Sequence, residues 1–195
     1  MADQQFEPDE SLKVIRSMID KTREGISDRS KYFLVWGWGA LIGSLSQFIL
    51  KVVFDYPYHY RVWFITFICA FISILMGKHD RKKERVTTYV GESMGFLWRG
   101  LGICFFIISI IFVKIGWQYC YPFFMAMYGL GTFVSGKILR NSPFVIGGLL
   151  SFGLAAVSVW FPYDYQILFA AAALLVSYII PAHLFRRKFR RSRYN

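Results

Sequence analysis

Residues 36–77 read WGWGALIGSLSQFILKVVF, then DYPYHYR, then VWFITFICAFISILMG. Two apolar runs are thus separated by a short turn that is rich in aromatic residues. A helix crosses a bilayer with about 20 apolar residues at a rise of 1.5 Å each, and both runs approach that length. This stretch therefore predicts a membrane hairpin of two helices.

The same plan recurs twice along the chain. Gly39 is followed by Lys51 and Gly102 by Lys114 at the same spacing. A fixed period is typical of a repeat architecture. The chain is therefore predicted to be an all-α membrane protein, built from three parallel helical hairpins in a pseudo-threefold arrangement. Tyr-x-Tyr pairs mark the three hairpin tips: Tyr56 and Tyr58, Tyr119 and Tyr121, Tyr163 and Tyr165.

The hairpins divide the chain into three parts. A six-helix transmembrane domain is predicted over residues 31–185, between a cytoplasmic tail at 1–30 and a basic cytoplasmic tail at 186–195. In the first tail, apolar residues recur every three or four positions over about 9–26, which is typical of an amphipathic interfacial helix. The predicted spans cover residues 32–54, 62–77, 96–117, 122–138, 144–161 and 165–185.

Glycines inside the spans are predicted to mark the places where helix backbones touch. Small residues allow membrane helices to approach closely, so packing is expected here rather than a hinge. The glycines are Gly39 and Gly43 in span 1, Gly129 and Gly131 in span 4, and Gly147, Gly148 and Gly153 in span 5.

Lysine and arginine are distributed unevenly between the two ends of the spans. Of the 23 such residues, only Lys51, Arg61 and Lys114 fall at the ends that carry the tyrosine pairs. Positive residues collect on the cytoplasmic side of membrane proteins. The sequence therefore predicts a multi-pass protein with both termini in the cytoplasm and the tyrosine tips outside.

Aromatic residues gather at both ends of the predicted spans. An aromatic belt at the headgroup level explains this distribution. For the outer tyrosines the alternative is an extracytoplasmic cap that seals the bundle or recognises a ligand, with Asp55, Asp164 and Arg61 at its rim. The tryptophans are Trp36, Trp38 and Trp98 near inner ends, and Trp63, Trp117 and Trp160 near outer ends.

The composition belongs to the membrane class and gives no sign of catalysis. Hydrophobic residues make up 55% of the chain, and only 18% are charged, against about 25% in soluble domains. No carboxylate is predicted at membrane depth, where proton-coupled carriers and intramembrane hydrolases need one. His59, His79 and His183 fall in separate loops and span ends, too far apart to share a metal. The protein is therefore predicted not to be an enzyme and to need no cofactor.

A small set of polar and aromatic residues could bind a ligand or line a pathway. Gln47 lies inside span 1, where an amide more often hydrogen-bonds to a neighbouring helix. Lys51 and Lys114 either face a central cavity, where they would bind an anion, or extend along lipid to the headgroups. The full set is Gln47, Lys51, Lys114, Tyr58, Tyr121 and Tyr165.

The basic segments at the inner ends are predicted to contact anionic headgroups, at about 1 kcal/mol per cation. A tail that leaves the membrane beside Phe185 favours lipid over nucleic acid, so no nucleic-acid partner is expected. The predicted lipid contacts are Lys82, Lys83, Arg186, Arg187, Lys188, Arg190, Arg191 and Arg193.

Residues 11–50 carry a recognisable motif at the entry to span 1. It consists of Tyr32-Phe33-Leu34 followed by Trp36-Gly37-Trp38, after the amphipathic segment. In this the chain resembles an uncharacterised group of small bacterial membrane proteins with a YFLxWGW entry. The three-hairpin layout is similar to that of the HdeD acid-resistance membrane protein family. These resemblances imply a bacterial inner membrane protein, and they supply no catalytic or binding residues.

Two functions from different classes follow. The first is a non-enzymatic structural or regulatory module that acts through the helix at 9–26, toward a cytoplasmic protein or a second copy. The alternative is a small channel or transporter with a pathway along the pseudo-threefold axis. They differ in whether Gln47, Lys51 and Lys114 point to that axis or to lipid.

Overall fold

Helices form nearly all of the part of the chain that the structure describes. The computed structural model describes residues 30–83 and 89–194, with side chains described over 30–80 and 91–187. The predicted helix at 9–26 lies outside the described residues. So do the side chains of six predicted lipid contacts, namely Lys82, Lys83, Lys188, Arg190, Arg191 and Arg193.

The first half of the described chain holds three long helices. Helix α1 is Ser30–Phe48, and it continues as a π-helical turn at Ile49–Val53. An outer turn leads to a 3-10 helix, His59–Phe64, which runs directly into α2 at Ile65–Lys83. Helix α3 is Tyr89–Ile115.

The second half is built from shorter helices joined by tight turns. A 3-10 turn at Trp117–Tyr119 precedes α4, and Pro162 precedes the first residue of α6. A π-helical turn at Leu175–Ile179 joins α6 to α7 without a break. The α-helices are α4 Cys120–Ile138, α5 Ser142–Ser158, α6 Tyr163–Leu174 and α7 Ile180–Tyr194.

The helices overlap all six predicted spans, and four of them are long and apolar enough to cross a membrane. Helix α3 begins at Tyr89, roughly two turns before the predicted start at residue 96. Helix α5 is apolar but shorter, so a six-span crossing and the threefold repeat stay predictions. The described part of the chain is all-helical, and its four long apolar segments are compatible with an all-α membrane protein. The four long apolar segments are Ser30–Val53, His59–Asp80, Gly91–Ile115 and Tyr163–Arg187.

Four helices form the centre of the bundle. Helix α6 packs against α1, α4 and α5, and the closest pair of all is α4 with α5. Helix α2 packs mainly on α1, and α3 mainly on α4. The central and peripheral helices are therefore exposed to very different degrees, and most side chains of α2 and α3 lie on the surface.

Glycines allow α4 and α5 to make backbone contact. A Cβ atom added at Gly148 would lie 2.7 Å from the backbone nitrogen of Phe133, and one at Gly129 would lie 3.0 Å from the carbonyl oxygen of Gly148. The prediction that glycines mark helix contacts holds at these positions. It was wrong for Gly153, which is exposed and has no neighbouring atom within 4 Å of an added Cβ.

The inner half of the bundle is closed by an aromatic cluster and an ion pair. The ring of Phe33 in α1 lies 4.8 Å from Phe144 and 5.6 Å from Tyr178, measured between centroids. At the inner end of α1, Lys31 Nζ lies 2.6 Å from Asp80 Oδ1 in α2. The inner half is therefore held mainly by packed aromatic side chains. A polar cluster larger than the Lys31–Asp80 pair lies at the opposite end of the bundle.

Candidate functional site

Gln47 is the centre of a polar cluster at the outer ends of four helical segments. It is the penultimate residue of α1, and its side chain is only 1% exposed. A primary amide has two N–H donors and two acceptor lone pairs, so burial is costly unless all four are used. The outer cluster, as we call it, comprises Gln47, Lys51, His59, Trp63, Tyr121, Tyr163 and Asp164.

Four hydrogen bonds use the full capacity of the Gln47 amide. Its oxygen, Oε1, accepts from Trp63 Nε1–H at 2.5 Å and from the Tyr121 hydroxyl at 2.5 Å. Its nitrogen, Nε2, lies 3.2 Å from the Tyr163 hydroxyl oxygen and 3.2 Å from His59 Nδ1. One side chain thus joins α1 to the segment that precedes α2, to α4 and to α6.

The orientation of this amide follows from chemistry. The indole N–H of Trp63 can only donate, so the Gln47 atom that faces it must be the acceptor oxygen. The amide N–H₂ group then faces His59 Nδ1 and must donate to it. The arrangement requires a neutral His59 that carries its proton on Nε2.

An ion pair lies at the rim of the outer cluster. Lys51, in the π-helical turn after α1, donates from Nζ to Asp164 Oδ1 in the first turn of α6. The same ammonium lies 5.4 Å from the centroid of the Tyr163 ring, within cation–π range. The Tyr163 and Tyr121 rings are themselves 5.4 Å apart. The Tyr163 ring therefore contacts the Lys51 ammonium at the rim, and the hydroxyl groups of Tyr163 and Tyr121 bond to the Gln47 amide below it.

Backbone geometry places Lys51 at this rim. The wide turn at Ile49–Val53 is closed by a hydrogen bond from the Phe54 N–H to the Ile49 carbonyl at 3.2 Å. Asp55 then adopts a left-handed conformation, with φ of 46°, and ends the helix. Such π-turns are frequent at functional positions in helices.

The floor of the outer cluster is apolar apart from the hydroxyl of Ser44. Met125 lies one turn inward from Tyr121 along α4, and Ile167 lies one turn inward from Tyr163 along α6. Both side chains are fully buried in the same hydrophobic cluster. Ser44, one turn inward from Gln47, is also fully buried, and its hydroxyl has no partner among the described residues.

The structure brings together three of the six residues that were predicted to bind a ligand or line a pathway. Gln47, Lys51 and Tyr121 belong to the outer cluster. The other three lie on the surface: Lys114 near the end of α3, Tyr58 in the outer turn, and Tyr165 in the first turn of α6.

Sequence reasoning missed His59, Trp63, Tyr163 and Asp164. Trp63 and Tyr163 were assigned to an aromatic belt, and Asp164 was named only at the rim of the alternative extracytoplasmic cap. One signal was available in the sequence. The amide of Gln47 inside an apolar span needs four hydrogen-bond partners, and these four residues lie at span ends that were predicted to be on the same side as Gln47. The burial of Tyr121 and the partial burial of Tyr163 were not visible in the sequence.

Two of the eight predicted lipid contacts have described side chains, and both lie exposed at the opposite end. Arg186 and Arg187 follow the buried Phe185 in α7, and both are exposed where contact with headgroups was predicted. Within the described residues, no group of three or more His, Cys, Asp or Glu side chains could hold a metal ion.

Comparison with family models, with curated proteins and with solved structures finds no match to this chain. The resemblance to the YFLxWGW group and to the HdeD family therefore stays a prediction. Over the described residues the fold is all-helical, with four segments long and apolar enough to cross a membrane and a buried polar cluster at one end.

Proposed function

We propose that this protein is a non-enzymatic integral membrane protein of a bacterial inner membrane, with a structural or regulatory role. Its six helices cross the bilayer as three hairpins, and both termini lie in the cytoplasm. The outer cluster then faces the extracytoplasmic side. This orientation agrees with the lysine and arginine distribution, in which only Lys51, Arg61 and Lys114 lie at the outer ends.

The saturated amide of Gln47 carries the proposal. A residue that binds a passing ion or solute needs free donors or acceptors, and every one on the Gln47 amide is used by the protein's own side chains. Below it, Met125 and Ile167 form an apolar layer with no exposed surface. A cluster of this kind fixes the relative positions of helices, which is the role of a structural or regulatory module.

Partners of the module are proposed at its inner face. The basic residues Arg186 and Arg187 contact anionic headgroups, at about 1 kcal/mol each. The predicted helix at 9–26 contacts either a cytoplasmic protein or a second copy of this chain. Both segments lie at the end of the bundle opposite the outer cluster.

A flux measurement in vesicles tests this proposal. The full chain is reconstituted into liposomes that contain dyes for protons, potassium and chloride, and leakage is compared with that of empty liposomes. We expect equal rates, since the apolar floor leaves no continuous polar path. Flux above that of empty liposomes, abolished by Lys51→Ala but kept by Lys114→Ala, would replace the proposal with a conduit.

A small channel or transporter is the second candidate, and one observation favours it. The hydroxyl of Ser44 is fully buried one turn inward from Gln47 and has no hydrogen-bond partner among the described residues. A buried hydroxyl of this kind is a place where a water or a solute is held. The flux comparison above separates this candidate from the first.

A further inference from the structure

Among the described residues, His59 is the one side chain that bonds directly to the amide at the centre of the outer cluster and has its ordinary charge change near neutral pH. Its Nδ1 atom lies 3.2 Å from Gln47 Nε2, and the Trp63 indole forces that amide nitrogen to be the donor. Nδ1 must therefore be free of a proton whenever this bond exists. The ring is half-buried, in the turn that carries the exposed Tyr58 and Tyr60, so water reaches it from the outer end.

From this geometry we propose that His59 is a proton-binding site open to the outer face, and that its protonation releases the outer turn from Gln47. A proton taken from water adds to Nδ1 and forms the imidazolium. Two N–H donors then face each other across 3.2 Å, and the bond between Gln47 and His59 is lost. Protonation of His59 would be the signal to which the proposed regulatory module responds, so this inference rests on the proposed function.

The charged groups around His59 give the cation an alternative partner. Burial of the ring opposes protonation most, the nearby Lys51 ammonium opposes it further, and the Asp164 carboxylate favours it. Lys51 uses Oδ1 of Asp164, and Oδ2 has no hydrogen bond to any described residue, so it can accept from an imidazolium. The charged groups that act on the ring are Lys51, from the π-helical turn after α1, and Asp164 from α6, and the neighbouring ring is that of Tyr60. Tyr121 from α4 and Tyr163 from α6 are connected to His59 through the Gln47 amide.

The change reaches the helices through Trp63. His59 and Trp63 lie on the same 3-10 helix, His59–Phe64, which continues directly into α2. Both bond to the Gln47 amide, one to each of its two ends. Loss of the His59 bond leaves this short helix held by Trp63 alone, so the indole N–H reports the state of the histidine.

Nitrogen NMR of the full chain in lipid nanodiscs tests the proposal. Histidine and tryptophan are labelled with ¹⁵N, and spectra are recorded from about pH 8 to about pH 4.5, which brackets an ordinary imidazole. At high pH we expect His59 as the Nε2–H tautomer with an unprotonated Nδ1. On acidification we expect it to become imidazolium, while the Trp63 indole signal shifts with the same midpoint.

Substitutions provide the controls. His59→Gln keeps a carbonyl acceptor for Gln47 but cannot titrate, so the pH-dependent Trp63 shift should be lost while the fold is kept. His79→Gln and His183→Gln change exposed histidines at the other end of the bundle and should leave the shift intact.

Two results would overturn the proposal. One is a proton on Nδ1 of His59 at high pH, and the other is a Trp63 shift that persists in His59→Gln. Neither depends on the flux measurement, because a conduit could still contain a titrating His59. A failure of the proposed function and a failure of this inference are thus seen in different experiments.

Discussion

The first two predicted hairpins carry the same residue types at the same sequence spacing, and the structure places these residues in different environments. Lys51 at the outer end of α1 is bound to Asp164. Its counterpart Lys114, near the outer end of α3, is exposed and has no charged partner among the described residues. At the corresponding place in the third hairpin stands Trp160, which is 81% exposed.

The glycine and tyrosine positions differ in the same way. A Cβ atom added at Gly39 would lie 2.2 Å from Cys69 Sγ, whereas one at Gly102 would meet no atom within 4 Å. For the tyrosines the order is reversed, since Tyr121 of the second hairpin is 3% exposed and Tyr58 of the first is 45% exposed.

The difference follows from where each helix lies in the bundle. Helices α1 and α4 are central, and α2 and α3 are peripheral. In the first predicted hairpin the central helix is the first one, α1, whereas in the second it is the second one, α4. Equal spacing in the sequence predicts where helices begin and end, but burial depends on which member of each pair faces α6.

The largest effect is expected for Gln47→Leu, with Ile110→Leu at the matching repeat position as its control. The substitution removes four hydrogen bonds between helices. Membrane bonds of this kind contribute about 0.6 kcal/mol each on average, so we expect a loss of about 2 to 3 kcal/mol. Unfolding free energies measured in mixed micelles provide the test.

Ile110 is 57% exposed and has no role in the cluster, so its substitution should change stability by less than about 0.5 kcal/mol. Equal effects of the two substitutions would mean that these two positions lie in equivalent environments, which would contradict the difference between the first and second hairpins described above.

Gly39→Ala should follow in size, with Gly102→Ala as its control. The new methyl group at position 39 overlaps Cys69 Sγ, which must rotate away, and overpacking of this kind costs about 1 to 3 kcal/mol. At position 102 the same change meets open space and removes a helix-weakening glycine, which should be neutral or slightly stabilising. Thermal midpoints measured in one detergent should be lower than that of the unmodified protein for Gly39→Ala, and equal or slightly higher for Gly102→Ala.

The helices were predictable because apolar length and charge clustering act locally. The run from residue 36 to residue 77 specifies two helices and an outer turn whatever surrounds it. The glycine prediction succeeded at Gly129 and Gly148, where α4 and α5 touch, and failed at Gly153. A glycine on the lipid side and a glycine at a contact look alike in a sequence, since only the neighbouring helix distinguishes them.

Three of the seven residues of the outer cluster were among the predicted site residues, and four were not. Gln47 and Lys51 are unusual within an apolar segment, which makes them visible. Trp63 and Tyr163 have the composition of an aromatic belt, and they join the outer cluster only because the ends of α1, α4 and α6 meet. Those contacts depend on which helices are neighbours in the bundle, and the hydrophobic pattern of the sequence does not specify the neighbours.

A smaller effect is expected for the ion pair. Lys51→Ala, Asp164→Ala and the double variant form a cycle, from which we expect a coupling of about 0.5 to 1 kcal/mol. Both side chains are partly exposed, at 29% and 42%, so solvent screens their attraction. Lys114→Ala is the matched control and should leave stability unchanged within error. A cost for Lys114→Ala equal to that of Lys51→Ala would show that α3 has a charged partner too.

The smallest effect should come from Tyr121→Phe, with Tyr58→Phe as its counterpart in the first hairpin. The first substitution removes one hydroxyl donor from Gln47 Oε1, which still accepts from Trp63, so the amide oxygen stays partly satisfied. The loss of one bond should cost about 0.6 kcal/mol. Tyr58 lies on the surface, where a hydroxyl bonds to water instead, and its removal should cost nothing measurable. The two unfolding curves, recorded side by side, should differ by that one bond, and a larger cost at Tyr58 would mean that the outer turn is bound in a way that Gln47 does not explain.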